Sequence, residues 1–507
     1  MLSRKSSLIV LQNIINSSAG LIGMIFLTRF YSLGWSILSF GLGFAGLFTL
    51  VLDLGFSTAN VKLQSQGGDE GEYNYTFLLT KLLFGLLYGF LSVSALLVWV
   101  FVLKRGFEFQ AEFWVVIAII PYYFFSGMLG FTTSYFQAKL KPSNYVIPSI
   151  VEAVVRNSIF AGLGIIAILH IGKYSEAEMS IVLAVVYSIT YGMYFFLTFI
   201  LGMPWKFTRF SLVTFRKYMA IAIPLALASV VGAIGGNIDK VIIQFYWAAE
   251  ATGSFYLYQR LALVLTSFSG SVTFFLLPML ARLHNERPDD MRSSVKDYER
   301  IVTLFSLGLA VMVIMLPLYI INLFSSFFTG YSSTLSILAF NAVMQLNYYP
   351  FMNALIARGK QNVVGTFTAI GIIANIVVDV ITIPPKIFGV SFLSLGVMGG
   401  AVGTLSASFI INISFRYYLS KSGVKASNGK IFKLVVPAMV QAAFLYVTAS
   451  RLHPFHVIIL IPLALASLII YALVAIAVRE LSFMEVKEFL TGINPLRLIH
   501  SLKEDNP

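Results

Sequence analysis

Apolar residues run along this chain in blocks of about twenty or more, separated by short polar stretches. A bilayer core of about 30 Å needs roughly 20 helical residues. A window of that length predicts fourteen spans. They cover residues 8–28, 36–61, 76–103, 113–137, 146–169, 180–203, 216–247, 254–280, 298–323, 332–356, 362–383, 391–419, 431–450 and 455–478. The expected fold is an all-α, polytopic membrane protein with about 14 transmembrane helices joined by short loops. The first block, Leu8 to Leu27, follows Arg4 and Lys5 as a secretory signal would. Signal cores run about 7–15 residues and end at a small-residue cleavage site. This block is longer, carries Asn13, Asn16, Ser17 and Ser18, and continues into Thr28-Arg29, so it reads as an uncleaved helix.

The blocks repeat. A shift of 219 residues lays Ala138-Lys139-Leu140-Lys141 on Ala357-Arg358-Gly359-Lys360, and spans 2 and 6 on spans 8 and 12. A shift across six spans preserves orientation, which makes the repeat parallel. The expected organisation is a six-helix lobe over 1–206, a second over 207–425, two further helices within 426–480, and a tail over 481–507.

Composition agrees: 58% of the 507 residues are hydrophobic and 11% are charged, against about 25% charged in a soluble domain. The formal charge of +13 would suggest nucleic acid in a soluble protein, but membrane proteins concentrate Lys and Arg in cytoplasmic loops. Here 26 of the 35 basic residues fall at the termini and in alternate connections, near 62–81, 139–141, 206–217, 282–300, 358–360 and 416–433. Six others (Arg29, Lys104, Arg105, Lys173, Lys386 and Arg451) fall on the opposite side. This bias predicts that both termini are cytoplasmic, and the expected location is the plasma membrane. There are no cysteines, which excludes disulfides, thiolate metal sites and cysteine nucleophiles.

Sequence motifs point away from catalysis and cofactors. Gly41-Leu42-Gly43-Phe44-Ala45-Gly46 matches a dinucleotide fingerprint but lies inside a span with no preceding strand. Like Gly85/Gly89, Gly232/Gly236 and Gly396/Gly400, it reads as close helix packing through small residues. His453-Pro454-Phe455-His456 offers two histidines and no third metal ligand. No Walker lysine follows a glycine-rich loop, and the longest connection, 281–297, reads as a solvated run of mixed charge. Prolines in or near spans (Pro121, Pro148, Pro224, Pro278, Pro317, Pro350 and Pro384) predict kinked helices.

The ionisable residues inside spans are the candidates for function, since each costs a few kcal/mol at the bilayer centre. They are Asp53, Glu152, Arg156, Asp239, Lys240, Arg260 and Asp379, with Arg29, Lys81 and Arg416 closer to span ends. Glu152 and Arg156 share a helix face at i,i+4, and Asp239 and Arg260 both fall in the outer half of neighbouring spans. Three readings are open: neutralised structural pairs, charges snorkelling to the surface, or a cationic cavity. In the last, Arg29, Arg156, Lys240 and Arg260 attract an anion, while Asp53, Glu152, Asp239 and Asp379 are the available carriers of H+ or Na+.

These residues, taken together, resemble a known family. Asn13, Ser17, Gly20 and Arg29 look like the first helix of polysaccharide flippases, and Asp53-Leu54-Gly55-Phe56 with Lys62 like the second. Ile223-Pro224, Asn237-Ile238-Asp239-Lys240, Tyr256, Arg260 and Pro278-Met279-Leu280 are similar to the start of their second lobe. The resemblance is to the Wzx-like branch of the multidrug/oligosaccharidyl-lipid/polysaccharide (MOP) superfamily and covers about residues 4–420. It implies two six-helix lobes around a central cavity. The implied activity is flipping a polyprenyl- or dolichyl-(pyro)phosphate-linked oligosaccharide from the cytoplasmic to the outer leaflet by alternating access. The implied partners are that lipid-linked oligosaccharide, membrane lipid, H+ or Na+, and other glycan-assembly membrane proteins, with no nucleic acid and no cofactor. Alternatives are a cation-coupled multidrug antiporter of the same superfamily and a membrane glycan polymerase or glycosyltransferase. The second would need a large outer loop or a surface carboxylate pair, neither of which is visible.

Overall fold

The computed structural model describes residues 2–104, 106–169, 175–273, 276, 279–280, 282–283, 288–424, 429–451 and 457–482. Arg105, Lys173, Pro278, the His453–His456 motif and the tail from 483 lie outside the described residues. The described chain is helical almost throughout, as the apolar blocks require. In order the helices are α1 (Leu2–Phe30), α2 (Ser32–Leu47), α3 (Leu50–Asp53), α4 (Phe56–Ser65), α5 (Glu70–Leu97), α6 (Gln110–Ala138), α7 (Ser143–Ile168), α8 (Glu176–Leu201) and α9 (Leu212–Gly235). They continue with α10 (Ile238–Tyr246), α11 (Ala249–Thr273), α12 (Pro288–Met315), α13 (Pro317–Phe324), α14 (Ser333–Ala357), α15 (Gln361–Thr382), α16 (Val397–Lys421), α17 (Val435–Arg451) and α18 (Val457–Ala477). The departure from an all-α chain is a two-residue hairpin between α15 and α16, pairing Lys386 with Ser391 and Ile387 with Val390.

Ten described helices are long and apolar enough to cross a membrane, and eleven spans result if α2 and α3–α4, bent by 45°, are one. Of the fourteen expected spans, those at α9, α11 and α14 have 24–25 residues but are not among these. In α14 the reason is visible, since its buried face carries Asn341, Asn347 and Asn353. Some helix starts are capped by side chains. Asp69 accepts from the Glu72 amide at 3.1 Å and Ser211 from the Thr214 amide at 3.2 Å, satisfying donors that lack an intrahelical partner.

Two compact units are formed. The first comprises Leu11–Tyr256 and Ile372–Gly400, the second Met1–Val10, Leu257–Gly371 and Ala401–Pro507. In the first, α6 packs against α2, α5 and α8, and Phe56, Phe77, Phe131 and Tyr218 form an aromatic centre. The glycine run in α2 serves close packing: a Cβ at Gly41 would lie 2.5 Å from Val115, and one at Gly43 2.8 Å from the Lys240 stem. In the second unit, α12 packs against α14 and α17. The charged run expected as a solvated connection is helical from Pro288, because it is amphipathic. Met291 and Val295 are buried there with Phe351 and Phe415, while Arg292 stays exposed.

Candidate functional site

Ion pairs lie inside the spans of both units. The first sits where α3 breaks from α4. Leu54 (φ 46°) and Gly55 (φ 84°) turn the chain left-handed, a conformation glycine adopts without strain. The break leaves the Leu52 carbonyl outside a helix ladder, and Lys81 of α5 donates to it at 3.0 Å. The same ammonium pairs with the Asp53 carboxylate, which also accepts from the Ser57 amide at 3.1 Å and from its hydroxyl. Lys81, counted by charge with the cytoplasmic connection, is thus buried twelve residues into α5. Charge counting cannot distinguish a solvated ammonium from one neutralised by a carboxylate.

The second pair is the one expected from i,i+4 spacing. Arg156 Nε donates to Glu152 Oε1 at 2.5 Å, and Thr190 of α8 donates to the same oxygen at 3.2 Å. The guanidinium lies over the Tyr187 ring at 4.8 Å and the Phe160 ring at 5.9 Å, an arrangement that stabilises a partly desolvated cation.

The third cluster joins α10 to α15. Lys240 Nζ donates to the Gly236 carbonyl at 2.5 Å, stands 3.6 Å from Asp239 Oδ1, and lies under the Tyr256 ring at 5.7 Å. Tyr256 in turn stacks on Trp35 at 5.4 Å. Asp239 and the fully buried Asp379 interact electrostatically. Asn375, one turn before Asp379, donates to its Oδ2 at 2.7 Å, while Oδ1 is buried without a hydrogen-bond partner. The unpaired buried Asp379 oxygen is costly where it stands. Asp239 therefore has Lys240 of its own helix as ion-pair partner.

In the second unit, Arg416 of α16 pairs with the buried Glu299 of α12 and donates from Nε to Asn412 at 2.5 Å, with its guanidinium 4.1 Å over the Phe351 ring. Asn347 accepts from Arg416 and donates to Thr303 at 2.8 Å. Arg29, in the last turn of α1, and Arg260, in the part of α11 belonging to the second unit, are exposed. Sequence reasoning missed Asn375 and Glu299 as site residues. The i,i+4 spacing of Asn375 and Asp379 was a readable signal, whereas nothing local marked Glu299, whose partner lies 117 residues on.

The family described as "Polysaccharide biosynthesis protein" matches residues 2–284. No curated protein matches the chain. Among solved structures, the lipid II flippase MurJ in an inward closed conformation is similar over 93% of this chain and 98% of its own, at 18% identity and a TM-score of 0.71. An inward-facing multidrug resistance transporter of the MATE family, in the MOP superfamily, is similar over 82% of this chain and 100% of its own, at 12% identity and a TM-score of 0.58. A MOP superfamily transporter from Pyrococcus furiosus is similar over 82% of this chain and 96% of its own, at 12% identity and a TM-score of 0.50. At these identities the likeness is one of fold.

Proposed function

The chain belongs to the polysaccharide biosynthesis protein family and is a multi-pass membrane protein with the fold of MOP superfamily transporters, and on that premise we propose that it is a flippase for a polyprenyl- or dolichyl-(pyro)phosphate-linked oligosaccharide. Movement is from the cytoplasmic to the outer leaflet of the plasma membrane, with both termini cytoplasmic. Two six-helix lobes over 1–206 and 207–425, followed by two added helices, alternate in access. Arg29, Arg156, Lys240 and Arg260 supply positive charge for the substrate's phosphate. The observation that carries the reading is Arg156, a guanidinium held inside a membrane span by one carboxylate and the rings of Tyr187 and Phe160. A guanidinium grips phosphate through parallel hydrogen bonds and keeps its charge when desolvated. Deleting the gene tests the reading: lipid-linked glycan accumulates facing the cytoplasm, and absence of that accumulation overturns it.

Ion coupling, if the flippase is gradient-driven, belongs to Asp239 and Asp379. Of the four acidic candidates, Asp53 and Glu152 are each hydrogen-bonded directly to a cation, whereas Asp379 has an amide on one oxygen and nothing on the other. The same acid pair favours the second reading, a cation-coupled multidrug antiporter. In that case deletion raises drug susceptibility and leaves lipid-linked glycan distribution unchanged.

A further inference from the structure

The hairpin between α15 and α16 is apolar where a turn facing water would be polar. Its two central residues, Phe388 (φ 48°) and Gly389 (φ 84°), are both left-handed, as a two-residue turn between paired strands requires. Asparagine, aspartate or glycine ordinarily fills the first of these places, because a bulky side chain is disfavoured at positive φ. Here that place holds a phenylalanine, and it is fully exposed. Val390, Leu393 and Leu395 nearby are exposed as well. Single exposed apolar residues are ordinary, whereas a group of them in one short segment marks an interaction surface.

The segment is held at its base. The Phe392 and Ser394 amides donate to the Pro385 and Pro384 carbonyls at 3.0 and 3.2 Å, and the Leu395 amide to that of Thr382 at 2.7 Å. Trp247, which follows α10, donates its indole N–H to the Ile383 carbonyl at 3.0 Å, and a Cβ at Gly396 would lie 2.9 Å from its ring. Continuity with α15, itself a candidate membrane span, identifies what surrounds the tip. One face of α15 is buried through Asn375, Asp379 and Thr382, while Ile373, Val377 and Ile381 are exposed on the other, as the lipid side of a span is. The Leu393 amide donates to the Ile381 carbonyl at 3.3 Å, which joins the returning strand to the end of that apolar face. Lys386, exposed and four residues past the end of α15, adds a cation beside the tip. Apolar tip, neighbouring cation and lipid-facing helix together fit a phospholipid monolayer.

We propose that the 386–391 hairpin is a membrane anchor. Phe388 and Val390 enter the headgroup–acyl boundary of the leaflet in which α15 ends, and the Lys386 ammonium meets a lipid phosphate. The anchor holds against lipid the ends of α10 and α15, the helices that carry Asp239 and Asp379. It requires only that the chain spans a membrane and is independent of what the protein transports.

The chain has no cysteine, so a nitroxide on a single introduced cysteine reports one position. Its depth is read from collisions with oxygen, which concentrates in lipid, and with a water-soluble nickel chelate. In phosphatidylcholine nanodiscs, the label of purified Val390→Cys protein collides more with oxygen than with the chelate, as does a Val377→Cys control on α15. A Gln66→Cys control in the exposed connection after α4 shows the reverse. Adding Phe388→Asp to Val390→Cys shifts collisions towards the chelate, and adding Lys386→Glu does so too. The label at Val377→Cys keeps its lipid signature beside either substitution, which shows that the span is intact. Chelate collisions that dominate at Val390→Cys alone, or a lipid signature there that Phe388→Asp leaves unchanged, overturn the anchor. Low access to both reagents does the same, since it marks a second copy or another protein on the hairpin. A signature that Lys386→Glu leaves unchanged overturns the phosphate contact.

Discussion

Arg156 is held by a carboxylate on one edge and a tyrosine ring on one face, and the two contacts separate structure from function. Arg156→Ala leaves Glu152, only 5% exposed in its side chain, without its cation. Breaking a buried pair from one side costs about 3–5 kcal/mol, so protein abundance falls along with glycan translocation. Removing both partners relieves the first effect and not the second: Glu152→Ala with Arg156→Ala recovers abundance while translocation stays low. Arg156→Lys recovers only part of translocation, because an ammonium lacks the planar fork. Full transport in the double variant would end the claim that Arg156 holds phosphate. A separate expectation concerns Asp379, the proposed carrier because one of its buried oxygens has no hydrogen-bond partner: Asp379→Asn abolishes the H+ or Na+ gradient dependence of translocation in proteoliposomes, and dependence that persists removes it as carrier. At this scale the sequence was informative where partners are near. Glu152 and Arg156 share a helix face and were legible as a pair. Lys81 was not legible as the partner of Asp53, because 28 residues and a second helix intervene.

The broken second span shows what an element adds to its residues. From sequence, residues 36–61 read as one span; the structure divides them into α2, α3 and α4 with a left-handed turn at Leu54-Gly55. The apolar pattern carries on through the break, so periodicity alone did not reveal it. A β-carbon at φ 84° is strained by about 1–2 kcal/mol, so Gly55→Ala lowers the thermal midpoint of the purified protein. Gly130 on α6 is tighter still: an added Cβ would sit 2.8 Å from Lys81 Nζ and 2.7 Å from Ser57 Oγ. Gly130→Val therefore disturbs the Asp53–Lys81 pair while leaving both residues in the sequence. Its destabilisation should exceed that of Gly365→Val, where nothing lies within 4 Å of an added Cβ, as measured by the two thermal midpoints. The start of α12 was misread for a related reason. Its many charges suggested a loop, but Met291 and Val295 fall on one face and are buried, and that face decides its structure.

Over the whole chain, apolar block length and loop charge were enough to establish a helical membrane protein, because the bilayer imposes them on any sequence. The role of the last two helices was not legible in hydropathy. Tyr471 of α18 donates to the Leu304 carbonyl of α12 at 2.8 Å, and Gln441 of α17 to Gly308 at 3.0 Å. An added Cβ at Gly308 would lie 2.9 Å from the Tyr471 ring, so Gly308→Leu reduces abundance about as far as truncation at residue 425 does. Orientation has its own test, which the absence of background cysteine makes clean. A cysteine placed at Lys104 reacts with an impermeant thiol reagent in intact cells, and one placed at Arg292 reacts only after permeabilisation. The buried pairs also differ in when they become possible during synthesis. Glu152 and Arg156 are four residues apart, so their charges cancel as soon as α7 coils. Glu299 waits 117 residues for Arg416, roughly 6–25 s at ribosomal elongation rates of about 5–20 residues per second. For that interval Glu299 lacks the guanidinium that later hydrogen-bonds it, and of the two basic groups that act on it only Lys296, three residues earlier on α12, has been made.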